Sequence, residues 1–515
     1  MESLESSAGS TPRPHRFRST AGCLTCRRRK KKCDQTKPRC TGCTRNHLTC
    51  NWPLVGKFRT AYRRVPVVVP SSSRFSEEPL SWRNTMPDSA HLDESRGSLP
   101  DPSIIWSRSM QSFLSPIRAT MLTPVSDTLL GHYLSNTGPM LSTLPARYSP
   151  FLTFLVPLAL NDDLVMHALL ALSGTHLSYQ NHSLEIQRAT ERHYGAAISA
   201  LRQSMFGTTL EMPETLKILI TLLILAFFET LSNKVQGAMF FHLRAGRPLM
   251  FTLMENIPQL KTHDDRRRLY SFAVEIYSYL VLVNTITPLG AIEDRRLPLD
   301  SFLNNLGDMA QQFESFGAVF GGSHELFELL PSIAQLSSRR LTELSSSPSD
   351  DSWKMYHSLD DRIKNWTPPM MELLHPDPGW LTEASSFLNT YRHSVSIYLE
   401  TAMHPLGQQD DADIATKDTI QGHLDAIMLY VSNIINSPFE TLLLWPTVIA
   451  GSCMTREEQR ASIRSGLHES RFQMGHCYQA ASLLEHVWRD PDERIFGPYG
   501  LSVMMKKHGI SLGIA

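Results

Sequence analysis

Six cysteines, Cys23, Cys26, Cys33, Cys40, Cys43 and Cys50, fall inside one short stretch of the chain. They form two Cys-x-x-Cys pairs, each followed seven positions later by a third cysteine, so the segment is an internal pseudo-repeat. A stretch this short cannot bury enough apolar surface to fold on that account alone. Thiolates are soft ligands suited to zinc, and a two-residue gap lets both sulfurs of a pair reach one tetrahedral ion. Six thiolates cannot separately saturate two such ions, whereas two shared sulfurs give each ion four contacts. The spacing therefore predicts a cluster of two zinc ions held by all six cysteines, with folding coupled to metal binding.

The competing chemistry is a disulfide framework, which belongs to oxidising compartments. Residues 1–14 are rich in Ser, Thr, Pro and Glu and hold no apolar run of the secretory type, so reduced cysteines are expected. Cys453 and Cys477 stand apart from any metal-ligand spacing and read as small buried residues. The longest apolar stretch, 218–228, is interrupted by Thr221 and falls short of the roughly 18 residues that a membrane span requires. A buried core helix is expected there, and no membrane partner.

Net charge is zero, yet residues 13–64 carry 16 Lys and Arg against the single Asp34, a net +15 balanced by −15 on the remainder. A compact basic segment on an acidic chain is the electrostatic footprint of a module that binds a phosphate backbone. Its centre is the run Arg27, Arg28, Arg29, Lys30, Lys31 and Lys32, set between Cys26 and Cys33. On a short helix anchored at both ends by metal ligands these side chains fan around the axis. Some face the major groove, where Arg and Lys reach guanine O6 and N7, while others meet phosphates. The run also has the composition of a nuclear localisation signal, and the two roles can coexist.

The pattern Cys-x-x-Cys-Arg-x-Arg-Lys-x-Lys-Cys-Asp, ending at Cys33 and Asp34, followed by Lys37, Pro38 and Cys40, resembles the fungal binuclear zinc cluster transcription factors over residues 22–52. The resemblance implies that Cys23 and Cys40 bridge the two zinc ions. Cys26 and Cys33 then complete one site, and Cys43 and Cys50 the other. It also implies that Arg29 and Lys30 contact the bases of CGG triplets in double-stranded DNA, and that Pro38 lies in the loop joining the two halves. Its functional corollary is a nuclear, sequence-specific regulator of RNA polymerase II transcription, serving a metabolic pathway such as a secondary-metabolite cluster. The alternative is a coregulator scaffold whose zinc module is structural or nuclear-targeting.

The remainder predicts a mainly α protein. Residues 1–20 read as a disordered arm, 21–53 as the zinc module and 54–102 as a basic, then Ser/Pro-rich, flexible linker. From 103 to 515, apolar residues recur at three- and four-residue spacing, which predicts a large all-α domain. Helices are expected over 125–136, 162–180, 183–206, 213–231, 238–255, 264–284, 324–344, 352–366, 385–402, 420–436 and 466–488. No heptad pattern follows the linker, so a homodimer, if formed, does not use a coiled coil there.

Several stretches of this domain, among them Pro157-Leu-Ala-Leu, His242-Leu-Arg-Ala-Gly, Tyr391-Arg-His and Trp445-Pro, resemble the fungal-specific transcription factor regulatory domain. That implies a domain that senses a metabolite or binds transcriptional coregulators. Residues 499–515 match nothing in the resemblance and receive no role. No Gly-rich phosphate loop, nucleophile elbow or paired His-Glu zinc signature is present, so no enzyme activity is expected. His167, His176, His242 and His393 lie in helical apolar patterns and read as structural, as do Trp366, Trp445 and Trp488.

Overall fold

The computed structural model describes residues 25–26, 29, 31–37, 39–46, 48 and 50, and residues 123–515 apart from 206–210, 233, 258–264, 289–296, 313–316, 344–346, 370–377, 406–410 and 471–473. The arm at 1–20, the linker at 54–102, Cys23, Arg27, Arg28, Lys30 and Pro38 lie outside the described residues. The chain separates into two units, Met1–Ser95 and Arg96–Ala515. No strand occurs among the described residues.

The larger unit contains fourteen described helices of nine residues or more. They are α1 Pro124–His132, α2 Asp163–Gln180, α3 Leu184–Met205, α4 Met212–Ser232, α5 Ala238–Asn256, α6 Asp265–Val283 and α7 Leu330–Thr342. Then come α8 Asp350–Asn365, α9 Pro378–Met403, α10 Asp411–Val431, α11 Leu444–Ser452, α12 Glu457–His468, α13 Gly475–Arg489 and α14 Gly497–His508. Two helices organise the packing. The sequence of α4 is apolar on every side, and 17 of its 21 residues are buried. Its length and composition would suit a membrane, but α2, α3, α5, α6 and α13 pack around it, so it is the core helix expected from residues 218–228. The long α9 plays the same part in the second half, touching α7, α8, α10, α11 and α14. Its Tyr391 stacks on Trp445 at 5.8 Å and lies 5.0 Å from Phe327 and 4.6 Å from Phe387. The Tyr391 hydroxyl donates to Leu442 O at 2.5 Å, satisfying the polar end of a buried ring. Trp445 and Trp366 are buried, and Trp488 donates its indole N–H to Gly451 O at 2.8 Å.

The helix ends follow local chemistry. Asp162 caps α2 by accepting from Val165 N at 3.1 Å, and Ser349 caps α8 by accepting from Ser352 N at 3.3 Å. Several expectations need correction. The helix expected over 324–344 is broken after Phe327, because the missing N–H of Pro331 suits only the first turn of a fresh helix, α7. The single helix expected over 466–488 is the hairpin α12–α13. The stretch 420–436 is helical only to Val431, and Asn436 turns the chain with φ 69.

The tail assigned no role is part of the core. Residues 497–508 form α14, Gly509 stops it with φ 65, and Leu512 and Ile514 are buried. Asn284 at the end of α6 clasps Ile514, donating to its carbonyl at 2.8 Å and accepting from its N–H at 2.9 Å.

Candidate metal centre and nucleic-acid interface

The smaller unit repeats itself in its hydrogen bonds as it does in its sequence. Lys31 N donates to Cys26 O at 3.0 Å, and 17 positions later Leu48 N donates to Cys43 O at 3.0 Å. Each bond reaches back to the carbonyl of the second cysteine of a pair. The second of these cysteines lies in the helix Thr41–Arg45, with Cys40 as its cap; Cys40 Sγ accepts from Cys43 N at 3.4 Å. Capping by the first sulfur of the pair brings the second sulfur to the same end of the helix. Cys50 Sγ likewise accepts from Cys40 N, at 3.3 Å.

The five described cysteines converge on two sets of three. Sγ atoms of Cys26, Cys33 and Cys40 lie within 4.8 Å of one another, and so do those of Cys40, Cys43 and Cys50. Cys40 is common to both. Cys26, Cys40 and Cys43 are buried, Cys33 and Cys50 are half-buried, and none forms a disulfide. Ligand sulfurs around a tetrahedral zinc with bonds of about 2.3 Å sit roughly 3.8 Å apart. The separation of Cys26 and Cys40, 3.6 Å, is of that size. This donor set fits zinc in number, softness and spacing.

Around the sulfurs the surface is basic. Arg29, Lys31 and Lys32 of the sequence-derived set are exposed, and so are Lys37, Arg39 and Arg45, to which the sequence reading gave no role. That reading also passed over the work of Asp34. Its carboxylate accepts from Thr36 Oγ1 at 2.9 Å, from Thr41 N at 3.0 Å and from Thr41 Oγ1. The Thr41 hydroxyl, followed by the Thr41 backbone N–H, holds the Asp34 carboxyl down at about 2. The loop after Cys33 is thereby tied to the start of the helix that carries Cys43. The signal was present in the sequence, since Asp34 is the one acid in a segment of sixteen basic residues.

Several histidines of the larger unit pair with one another and with hydroxyls. His167 Nδ1 lies 2.8 Å from His193 Nδ1, whose ring also reaches Ser126 Oγ at 3.0 Å. His393 Nδ1 lies 2.8 Å from His423 Nδ1, and His176 Nδ1 lies 3.2 Å from His132 Nε2 and 3.0 Å from Thr137 Oγ1. His242 faces Glu229 at 3.7 Å. No group of three such residues that could hold a metal occurs among the described residues outside the cysteine cluster.

Comparison with known proteins places this geometry. Residues 128–513 match the fungal specific transcription factor domain. The chain belongs to that family. Residues 21–54 match the fungal Zn(2)-Cys(6) binuclear cluster domain, so the cofactor of the smaller unit is a pair of zinc ions. The family is one of transcription factors and not of enzymes.

Among curated relatives, the zinc cluster transcription factor CZF1 of Candida albicans is 59% identical over 44 residues, 8% of this chain and 11% of the relative. Transcription factor lfc1 of Flammulina velutipes is 38% identical over 110 residues, 20% of this chain and 38% of the relative. Pestheic acid cluster transcriptional regulator 3 of Pestalotiopsis fici is 29% identical over 231 residues, 36% of this chain and 40% of the relative. The matches therefore span well under two thirds of these relatives' lengths. No solved structure gives a significant match.

Proposed function

We propose that this family member is a nuclear, zinc-dependent regulator that reads CGG-containing elements in double-stranded DNA and controls RNA polymerase II transcription of a set of metabolic genes. The observation that carries the reading is the position of Cys40 in both sets of three sulfurs, surrounded by exposed Arg and Lys. In this reading Cys23 and Cys40 bridge two zinc ions, Cys26 and Cys33 complete one site, and Cys43 and Cys50 complete the other. Bound zinc supplies the cross-links that a core of this size cannot. Arg29 and Lys30 meet base edges, and Arg27, Arg28, Lys31 and Lys32 meet neighbouring phosphates. The larger unit serves as the regulatory part, open to coregulators and to a second copy of the chain. Similarity to a regulator named for the pestheic acid cluster supports secondary metabolism as the class of target.

The test is selection of bound sequences from a random DNA pool by the purified chain, with zinc and with a chelator. Zinc-dependent enrichment of CGG is expected. A zinc-loaded, folded protein that enriches no sequence would leave the module as a structural or nuclear-targeting element on a scaffold. The substitution Arg29→Ala should cost about 1 to 3 kcal/mol of base discrimination, whereas Lys31→Ala should weaken all sequences alike and flatten the salt dependence.

A further inference from the structure

In the larger unit a cavity of about 480 Å³ opens between α10, α11 and the α12–α13 hairpin. Its walls are mostly apolar, with Ile427, Val431, Leu444, Ala450, Ile463 and Leu467 among them, and serines and threonines between. This size lies within the range of roughly 300 to 1,000 Å³ found for small-molecule sites, which are mostly apolar with a few placed polar groups. One such group stands out. His476, in the first turn of α13, lines the cavity and is 2% exposed, and its Nδ1 is buried with no hydrogen-bond partner. Burial holds His476 down to about 4, so near neutral pH its ring is uncharged and offers one lone pair and one N–H. A buried ring nitrogen left without a partner is unfavourable, and a ligand that hydrogen-bonds to it removes that cost.

The charged side chains at this cavity set the sign of what it takes. Among the described residues, the charged side chains lining it are Glu440 and Glu469, which disfavour a carboxylate or phosphate ligand. We propose that this cavity binds an uncharged, largely apolar small molecule that places one hydroxyl or carbonyl against His476 Nδ1. The inference stands apart from the DNA-binding reading, and its test contains no DNA.

The probe is N-phenyl-1-naphthylamine, a neutral dye that fluoresces in apolar surroundings, titrated into the full chain and then displaced by 1-naphthol or by naphthalene. Saturable binding of one dye per chain is expected, with 1-naphthol displacing it at about tenfold lower concentration than naphthalene, the worth of one buried hydrogen bond. His476→Leu keeps the volume and removes the nitrogen, so it should abolish that tenfold preference and leave displacement by naphthalene unchanged. Gly466 lines the cavity, and a Cβ built there meets nothing within 4 Å, so Gly466→Phe is expected to fold and to block the dye. Absence of saturable binding overturns the proposal. So does binding that neither variant alters, which would put the dye elsewhere on the protein.

Discussion

Asp34 works by bringing together two parts of the backbone that each lead to a cysteine. Its contacts with Thr36 and Thr41 tie the loop after Cys33 to the start of the helix that carries Cys43. Residues of this kind, one step removed from the ligands, commonly change metal affinity by one to two orders of magnitude. Asp34→Ala should therefore lower zinc affinity about tenfold in a chelator competition, and Thr41→Val should do so in the same direction.

Protonation supplies a second expectation at this scale. Burial holds His193, His393 and His476 down to about 4, with the neighbouring His167 and His423 adding to the first two. In the unfolded chain these groups titrate near their ordinary 6.5. Between the two values the unfolded chain binds protons that the folded chain refuses, so stability is full above 6.5 and falls as pH drops toward 4. The slope is roughly 1.4 kcal/mol per pH unit for the fully enclosed His476 and less for the other two. Glu275 acts in the opposite sense. Burial raises its carboxyl to about 8, against the N–H groups of Gly317 and Val319 that donate to it at 2.8 and 3.0 Å. Its contribution is full below 4.5 and is lost as pH rises through 8. Melting temperatures should peak near pH 6.5 and decline on both sides, and Glu275→Gln should flatten the decline between 6.5 and 8 and steepen the one between 4.5 and 6.5.

At the scale of elements, α2 and α3 approach closely at Gly174. A Cβ on Gly174 would lie 2.1 Å from Thr190 Oγ1. Gly174→Ala should destabilise the protein by about 1 to 3 kcal/mol through overpacking, and adding Thr190→Ala should restore part of the loss in thermal unfolding.

The long helices were legible in the sequence because their apolar residues recur at helical spacing and their caps are chemically distinct. Asp162 before α2 is an example. What was not legible has particular causes. The nine residues of α11 are apolar on nearly all sides and give no periodicity to read. The pair Gly497-Pro498 is ambiguous in sequence, because a proline in the first turn starts a helix as readily as it ends one. Lys506, Lys507 and His508 followed by Gly509 spell the end of that helix, with basic residues at the negative pole and a left-handed glycine beyond. The cysteine spacing pointed to the five described donors that converge, Cys26, Cys33, Cys40, Cys43 and Cys50. The bracing by Asp34 depends on two segments meeting in space, and spacing alone does not carry that.

At the scale of the whole molecule, two units with different sources of stability share one chain. The smaller has a core of cysteines and Leu48, and the larger has a continuous apolar core running from Leu129 to Ile514. Chelation should therefore abolish DNA binding and leave the far-ultraviolet circular dichroism and the melting transition of the helical unit nearly unchanged. Loss of helical signal on chelation would show that the two are coupled.

The clasp between Asn284 and Ile514 spans 230 residues. A ribosome making this chain releases α4 and its neighbours long before the segment that closes over them. Until then Asn284 stays open to water and to chaperones. The helical unit can finish folding only once synthesis has passed Ile514, so a message that stalls or frameshifts upstream yields a chain with an exposed core, suited to degradation.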